Sequence, residues 1–282
     1  MQVTTTIVEY QKTIEQTSFK NLKIGFVATM GALHQGHVTL IDLAKKECDI
    51  VVCSIFINPT QFNNPDDFAS YPKTIDKDIT LLQQANCDIL FVPSVEEVFP
   101  KEQKLKTYSL NGLDLLFEGE KRPGHFNGVC NVVHRLFQII EPQKAYFGKK
   151  DFQQLAIIQH MSNQLNLGIE IVGCETARET NGLAKSSRNL LLSEKAKSDA
   201  GIIYSSMKEA KSELEKIEIP EIILAAKNKL QKIPNSKIDY VSIAETSMLE
   251  PIYKRKEGQK IVMLVAVFVE NVRLIDNLML NE

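Results

Sequence analysis

The sequence predicts an α/β protein: a doubly wound parallel sheet followed by a smaller α+β domain. Two observations predict it. Through the first half, near-continuous β-branched and aliphatic runs alternate with segments of helical spacing, the pattern of parallel strands covered on both faces. After residue 176 the texture changes to long amphipathic helices and then strand-like runs. One domain is therefore expected over 1–176 and a second over 177–282.

The elements follow in order. Residues 23–29 are a short apolar run, 38–47 carry Leu40, Ile41, Leu43 and Ala44 at helical spacing, and 49–57 (DIVVCSIFI) are β-branched throughout, which together make a βαβ unit. Asn58-Pro59 stops that strand, and 60–64 form a polar loop at its carboxyl end. Residues 66–84 are helical around a Tyr71-Pro72 interruption, and 87–92 are a buried strand ended by Pro93. The stretch 118–125 (EGEKRPGH) reads as a polar, turn-rich loop, ahead of a helix over 127–140 with Val129, Val132, Val133, Leu136, Ile139 and Ile140 on its apolar face. A short strand at 144–147, the turn Gly148-Lys149-Lys150-Asp151, a helix to residue 165 and a strand at 169–174 complete the sheet. Beyond lie a charged, hydroxyl-rich segment at 177–192, helices over 193–216 and 220–232, strands at 238–243, 260–269 and 272–275, and an exposed charged turn at 254–260.

Composition narrows the function classes. With 282 residues, 44% of them hydrophobic, the chain can bury a sizeable core. Its 33 basic and 35 acidic residues leave a net charge of -2, so no global field attracts nucleic acid, and an anion must be met by a local cluster. Cys48, Cys53, Cys87, Cys130 and Cys174 are scattered, mostly in apolar runs, without a Cys-x-x-Cys pair, and read as buried thiols in a reducing compartment. The first residues carry no basic start with an apolar run behind it, and no apolar stretch has the length to span a membrane. The expectation is a soluble, cytoplasmic protein with no membrane or nucleic-acid partner.

The chemistry centres on Met30-Gly31-Ala32-Leu33-His34-Gln35-Gly36-His37, which joins the first strand to its helix. Two imidazoles beside a glycine at a helix start suit an anion: the free N–H groups of the first turn favour negative charge, and neutral histidines donate hydrogen bonds. An isolated His-x-Gly-His is a capped turn, but this one has company. Asn58 and Gln61, then Glu118, Arg122 and His125, then Lys150, Asp151 and Gln154 all fall on loops at the carboxyl edge of the sheet, where open α/β sheets bind ligands. Lys185-Ser186-Ser187-Arg188 adds a guanidinium fork and two hydroxyls suited to phosphate oxygens, although the serines equally suit a helix cap. His134 and His160 receive no role. No glycine-rich dinucleotide motif, P-loop or zinc-ligand set is present.

The motifs MGALHQGH, SIFINPTQF, YPKT, EGEKRPGHFNGV, YFGKKDFQQL and NGLAKSSRN, in this order and spacing, resemble the pantoate–β-alanine ligase (pantothenate synthetase) family of the nucleotidylyl-transferase superfamily. The likeness covers nearly the whole chain. It implies a Rossmann-like domain for nucleotide and pantoate, a C-terminal lid over ATP, a homodimer formed by the N-terminal domain, and Mg2+ on ATP oxygens. The implied reaction has two steps: pantoate attacks the α-phosphorus of ATP to give pantoyl adenylate and pyrophosphate, and β-alanine then displaces AMP.

Residue by residue, the resemblance implies ATP along Met30, Gly31, Ala32, Leu33, His34, Gln35, Gly36 and His37, with both histidines at the phosphates and His37 the proton donor. Lys150, Arg188, Ser186 and Ser187 would hold the phosphate chain, with Gly148, Lys149, Asp151, Ala177 and Lys185 around the nucleotide. Gln61 and Gln154 would clamp pantoate, with Met30 against its methyls and Asn58 beside them, and Asp78 is the one carboxylate offered to Mg2+. The chain departs from the usual pattern at Asn181 (commonly Asp), Lys185 (often apolar), Leu191 (commonly Tyr) and Glu175 (commonly Pro). Three rivals remain: another adenylyltransferase of the superfamily, which has no need of the paired amides; a class I aminoacyl-tRNA synthetase, which calls for more chain and a basic surface; and a nonenzymatic nucleotide sensor, which binds ATP without releasing pyrophosphate.

Overall fold

The computed structural model describes residues 1–16, 19, 22–62, 68–69, 71–102 and 104–281. The end of the loop expected at 60–64 and the start of the helix expected from 66 lie, at residues 63–67, outside the described residues. The chain divides into two compact units, one of residues 1–148 and 154–174, the other of residues 149–153 and 175–282.

The first unit is built on a six-stranded sheet of β1 (Gln2–Thr4), β2 (Ile24–Thr29), β3 (Ile50–Ile55), β4 (Ile89–Phe91), β5 (Lys144–Gly148) and β6 (Glu170–Cys174). Its spatial order is β1-β4-β3-β2-β5-β6, and every pair is parallel. All six residues of β3 are buried, as a strand covered by helices on both faces requires. From β2 the chain steps outward to β3 and β4, then crosses back to lay β5 against the other side of β2. The order therefore reverses between β2 and β5, and in open sheets the crevice at such a reversal receives ligands.

Helices α1 (Ile7–Ile14), α2 (Gln35–Glu47), α3 (Ile75–Gln84), α4 (Val95–Val98), α5 (Phe117–Lys121), α6 (His125–Ile140) and α7 (Phe152–Gln164) connect these strands. Periodicity did not reveal β1 and α1, although Thr6 and Glu9 form a capping box that marks the start of α1. Helix α2 starts ahead of its apolar stripe because His34 is its N-cap. Residues 118–125 are not a loop throughout. Leu116 C=O accepts from Gly119 and Glu120 N–H, which closes the short helix α5 inside that stretch.

The second unit is a three-stranded antiparallel sheet, β7 (Ser236–Glu245), β8 (Ile261–Val269) and β9 (Val272–Met279), in that order. Glu270 and Asn271, both at positive φ, are the two-residue loop joining β8 to β9, the geometry that suits the right-handed twist of a hairpin. Helices α8 (Glu194–Glu213) and α9 (Ile219–Leu230) supply Ala200, Ile203, Met207, Ile222 and Leu230 to a core shared with Val241, Met263 and Val265 of the sheet. Among the described residues, no helix is long and apolar enough to cross a membrane.

Candidate active site

Thr29 ends β2 with its hydroxyl donating to Ser54 C=O (2.7 Å) and accepting from Gly31 N–H (3.3 Å). The chain then turns through two left-handed residues, Gly31 (φ 82°) and Ala32 (φ 51°). Asp78, on α3, receives the next two amides: Ala32 N–H on Oδ2 (3.0 Å) and Leu33 N–H on Oδ1 (2.8 Å). His34 then caps α2, its Nδ1 accepting from Gly36 N–H (3.0 Å), and His37 Nδ1 accepts from His34 N–H (3.2 Å). The two rings lie 4.2 Å apart, tilted by 45°.

The backbone amides of residues 31–34 and 36 are thus engaged by side chains of the protein itself. The two imidazoles are oriented by these contacts. Each uses Nδ1 as an acceptor, so the neutral ring carries its proton on Nε2 and presents an N–H donor at the positive end of α2. The Asp78 carboxylate is 2% exposed and also accepts from Thr74 Oγ1 (3.2 and 3.1 Å), so it braces the loop that leads to the histidines. Among the described residues, no group of three or more His, Cys, Asp or Glu could hold a metal ion.

At the end of β3, Asn58 organises a turn over Pro59–Gln61: its Oδ1 accepts from Thr60 N–H, while its Nδ2 donates to Gln61 Oε1 and Gly128 C=O (both 3.1 Å). Gln61 Nε2 lies 3.0 Å from Met30 Sδ. His125, the first residue of α6, donates from Nδ1 to Gln61 C=O (2.7 Å), which leaves Nε2 to accept from Arg122 (3.2 Å). Its proton sits on the opposite nitrogen from that of His34 and His37. Met30, Asn58, Gln61, Arg122 and His125 are therefore one network in the first unit. Gln154 is half-buried in the first turn of α7, and Glu118 is half-buried on α5.

In the second unit, Lys150, Ser186 and Arg188 line one small pocket with Asn189, Arg273 and Asp276. Ser186 also caps the short helix Ser187–Leu191, accepting from Arg188 N–H (3.3 Å). The turn Lys149–Asp151 is pinned by Asn277, whose amide donates to the carbonyls of Lys149 (2.8 Å) and Lys150 (2.7 Å). Next to it, Asp276 is 4% exposed and pairs with both arms of Arg178 (2.6 and 3.0 Å). Burial pushes the Asp276 carboxyl up, against the pull of Arg178. Arg178 stacks 3.8 Å from the Tyr204 ring.

The sequence departures have local explanations. Lys185 pairs with Glu179 (3.0 Å), Glu175 pairs with Lys149, and Asn181 donates to the carbonyls of Lys197 and Ser198, which a carboxylate could not do. Leu191 is exposed, and Ala177 accepts from Lys185 N–H (2.8 Å). Sequence reasoning missed Thr74, Arg178, Asp276 and Asn277. The available signal for the last two was a polar pair inside a strand that continues past them.

The family model described as pantoate-beta-alanine ligase matches residues 2–279. The chain belongs to the pantoate-beta-alanine ligase family. Within this ligase family it is 44% identical over 278 residues to the pantothenate synthetase of Cytophaga hutchinsonii, covering 98% of each chain. It is 42% identical over 279 residues to that of Azobacteroides pseudotrichonymphae, covering 99% of each. The crystal structure of pantothenate synthetase from Thermus thermophilus superposes with a TM-score of 0.92 at 37% identity over 100% of both chains. The pantoate-beta-alanine ligase of Francisella tularensis, complexed with beta-gamma ATP and beta-alanine, does so with a TM-score of 0.80 at 34% identity, covering 99% of this chain and 98% of that one. The parallel sheet and the antiparallel C-terminal sheet are the architecture of this ligase family.

Proposed function

We infer that the chain condenses pantoate with β-alanine, cleaving ATP to AMP and pyrophosphate through a pantoyl-adenylate intermediate. One observation carries this reading: two histidines are held as Nε2–H donors at the start of α2, in a chain that matches the ligase family from residue 2 to 279. The relative from Francisella tularensis, whose structure holds beta-gamma ATP and beta-alanine, supports the substrate set.

In the first step a pantoate carboxylate oxygen attacks the α-phosphorus and pyrophosphate leaves. In-line displacement at phosphorus asks the protein mainly to position the reactants and to stabilise spreading negative charge. His34 and His37 would supply neutral donors to the phosphate oxygens, and Lys150, Ser186, Ser187 and Arg188 would grip the chain through charge, fork and hydroxyl. Gln61, fixed by Asn58 and His125, and Gln154 would clamp pantoate, with Met30 against its methyls. In the second step the amine of β-alanine attacks the acyl carbon, AMP leaves, and the amine sheds a proton. Mg2+ would enter chiefly on the ATP oxygens, a hard cation that needs few protein ligands, and the Asp78 carboxylate already accepts from the Ala32 and Leu33 amides. Residues 177–282 would act as the lid over ATP, with 1–176 as the nucleotide and pantoate domain. A cytoplasmic location fits the five buried, reduced thiols, and cell fractionation tests it.

The test is pyrophosphate release from ATP and Mg2+ with pantoate, with and without β-alanine, and mass spectrometry of the products. A burst with pantoate alone, turning over to pantothenate and AMP only with β-alanine, supports the reading. An adenylylated product with no amide would favour another adenylyltransferase, and ATP binding without pyrophosphate a sensor. The His37→Ala variant is expected to lower the burst rate far more than ATP affinity, because its hydrogen bond strengthens as charge develops. Equal loss of both would remove His37 from that role.

A further inference from the structure

We propose that Asp78 is a positioning residue for the adenylation step: it fills the amide nest at residues 31–33 with an internal anion, and so fixes the two histidines as the donors that meet phosphate. The proposal rests on the reading of the function above.

Successive N–H groups in a left-handed turn make a concave anion site. Here Gly31 and Ala32 adopt that conformation, at φ 82° and 51°, directly before the histidines. Such a nest would be expected to take a phosphate oxygen from the substrate. Instead, Oδ1 and Oδ2 of Asp78 take one amide each, at 2.8 and 3.0 Å, and Gly31 N–H turns to Thr29. A side chain at Gly31 would crowd this arrangement, because its Cβ would stand 3.2 Å from Asp78 Oδ2. Thr74 caps the geometry from behind by aiming its hydroxyl at both carboxylate oxygens, and the carboxylate is sealed from water.

The consequence passes along the chain without a break. The carboxylate fixes Ala32 and Leu33, and their successor is His34, whose N–H and Nδ1 set the orientation of His37 and Gly36. The negative charge behind the turn keeps the nest from competing with the imidazoles for phosphate oxygens. A loop held from one side in this way meets its ligand with its geometry already set, and misplacement of a catalytic group by about 1 Å can cost about 100-fold in rate.

The experiment compares single-turnover pyrophosphate release from ATP and pantoate in the unaltered chain, Asp78→Asn, His37→Ala and the double variant, with thermal unfolding and Mg2+ titration of each. Asp78→Asn turns an amide NH2 or a lone oxygen toward two N–H donors. The expected result is a burst rate lowered by about 30- to 100-fold, a pantoate KM within about threefold, and an unchanged half-saturating Mg2+ concentration. In the His37→Ala background the same substitution should cost at most about threefold, since groups acting as a unit are non-additive. Additive losses would mean that Asp78 acts only on general stability, and a shifted Mg2+ dependence would make it a metal ligand; either overturns the proposal, as does an unchanged burst. No burst in the unaltered chain would instead sink the functional reading. Where Asp78→Asn fails to fold, Thr74→Val leaves the carboxylate in place; it should lower the burst by about 3- to 10-fold with the same non-additivity, and an unaltered burst in it counts against the proposal.

Discussion

The missing side chain of Gly128 lets α6 touch the turn that carries Gln61. A Cβ there would lie 2.3 Å from Thr60 C=O and 2.9 Å from Gln61 Cα, and both neighbours are backbone. Gly128→Ala should therefore destabilise the fold by about 1–3 kcal/mol, as overpacked sites do, and raise the pantoate KM because the Gln61 turn must retreat. Urea unfolding and initial rates check both halves; an unchanged pantoate KM would separate that turn from substrate binding. The candidate residues were legible in the sequence by type and loop position: the histidine pair, Gln61, Lys150 and Arg188. The direction of their atoms was not. Which nitrogen of His34 carries the proton depends on an amide two residues on, and the shape of the loop before it depends on a carboxylate 46 positions from Ala32.

Among the elements, α2, β5 and β6 are tied at one end by charge. Lys144 on β5 reaches Glu47 at the end of α2 (2.8 Å) and Glu170 on β6 (3.0 Å), and Tyr146 donates to the same Glu47 oxygen (3.0 Å). Hydrogen bonds from Lys144 and then Tyr146 hold the Glu47 carboxyl below its ordinary range, and the carboxylates push Lys144 up to about 12. A depressed acid stabilises the fold fully above its unfolded value near about 4.3 and loses that contribution as pH falls through the folded value. For the raised lysine, the contribution is complete below its unfolded value near about 10.4 and fades as pH climbs through about 12. Glu47→Gln should therefore melt below the unaltered chain at pH 7, with the difference closing at pH values below the carboxylate range. A difference that stays constant with pH would assign it to packing. Strands and helices with a continuous apolar pattern were legible within a few residues. Elements set by other means were not: β1 is only three residues long, α5 only five, and β9 runs on through Asp276 and Asn277 because Arg178 and the Lys149–Lys150 carbonyls satisfy those polar groups.

For the whole molecule, the resemblance to the ligase family carries an expectation of a homodimer formed by residues 1–176. Sedimentation equilibrium at micromolar concentration should return twice the mass of one chain, and a persistent single-chain mass would remove the dimer from the reading. With a net charge of only -2, such a dimer would owe little to long-range attraction or repulsion between its copies.

The cysteines add a property of a different kind. All five are buried and outside any disulfide, and all of them lie in the unit of residues 1–148 and 154–174, while the C-terminal unit has no sulfhydryl at all. A thiol-reactive dye added to the native protein therefore stays dark until that one unit opens, and it ignores fraying or unfolding of the other. The chain carries a built-in clock for one half of itself, read as a labelling rate, against which any ligand that steadies the parallel sheet can be timed.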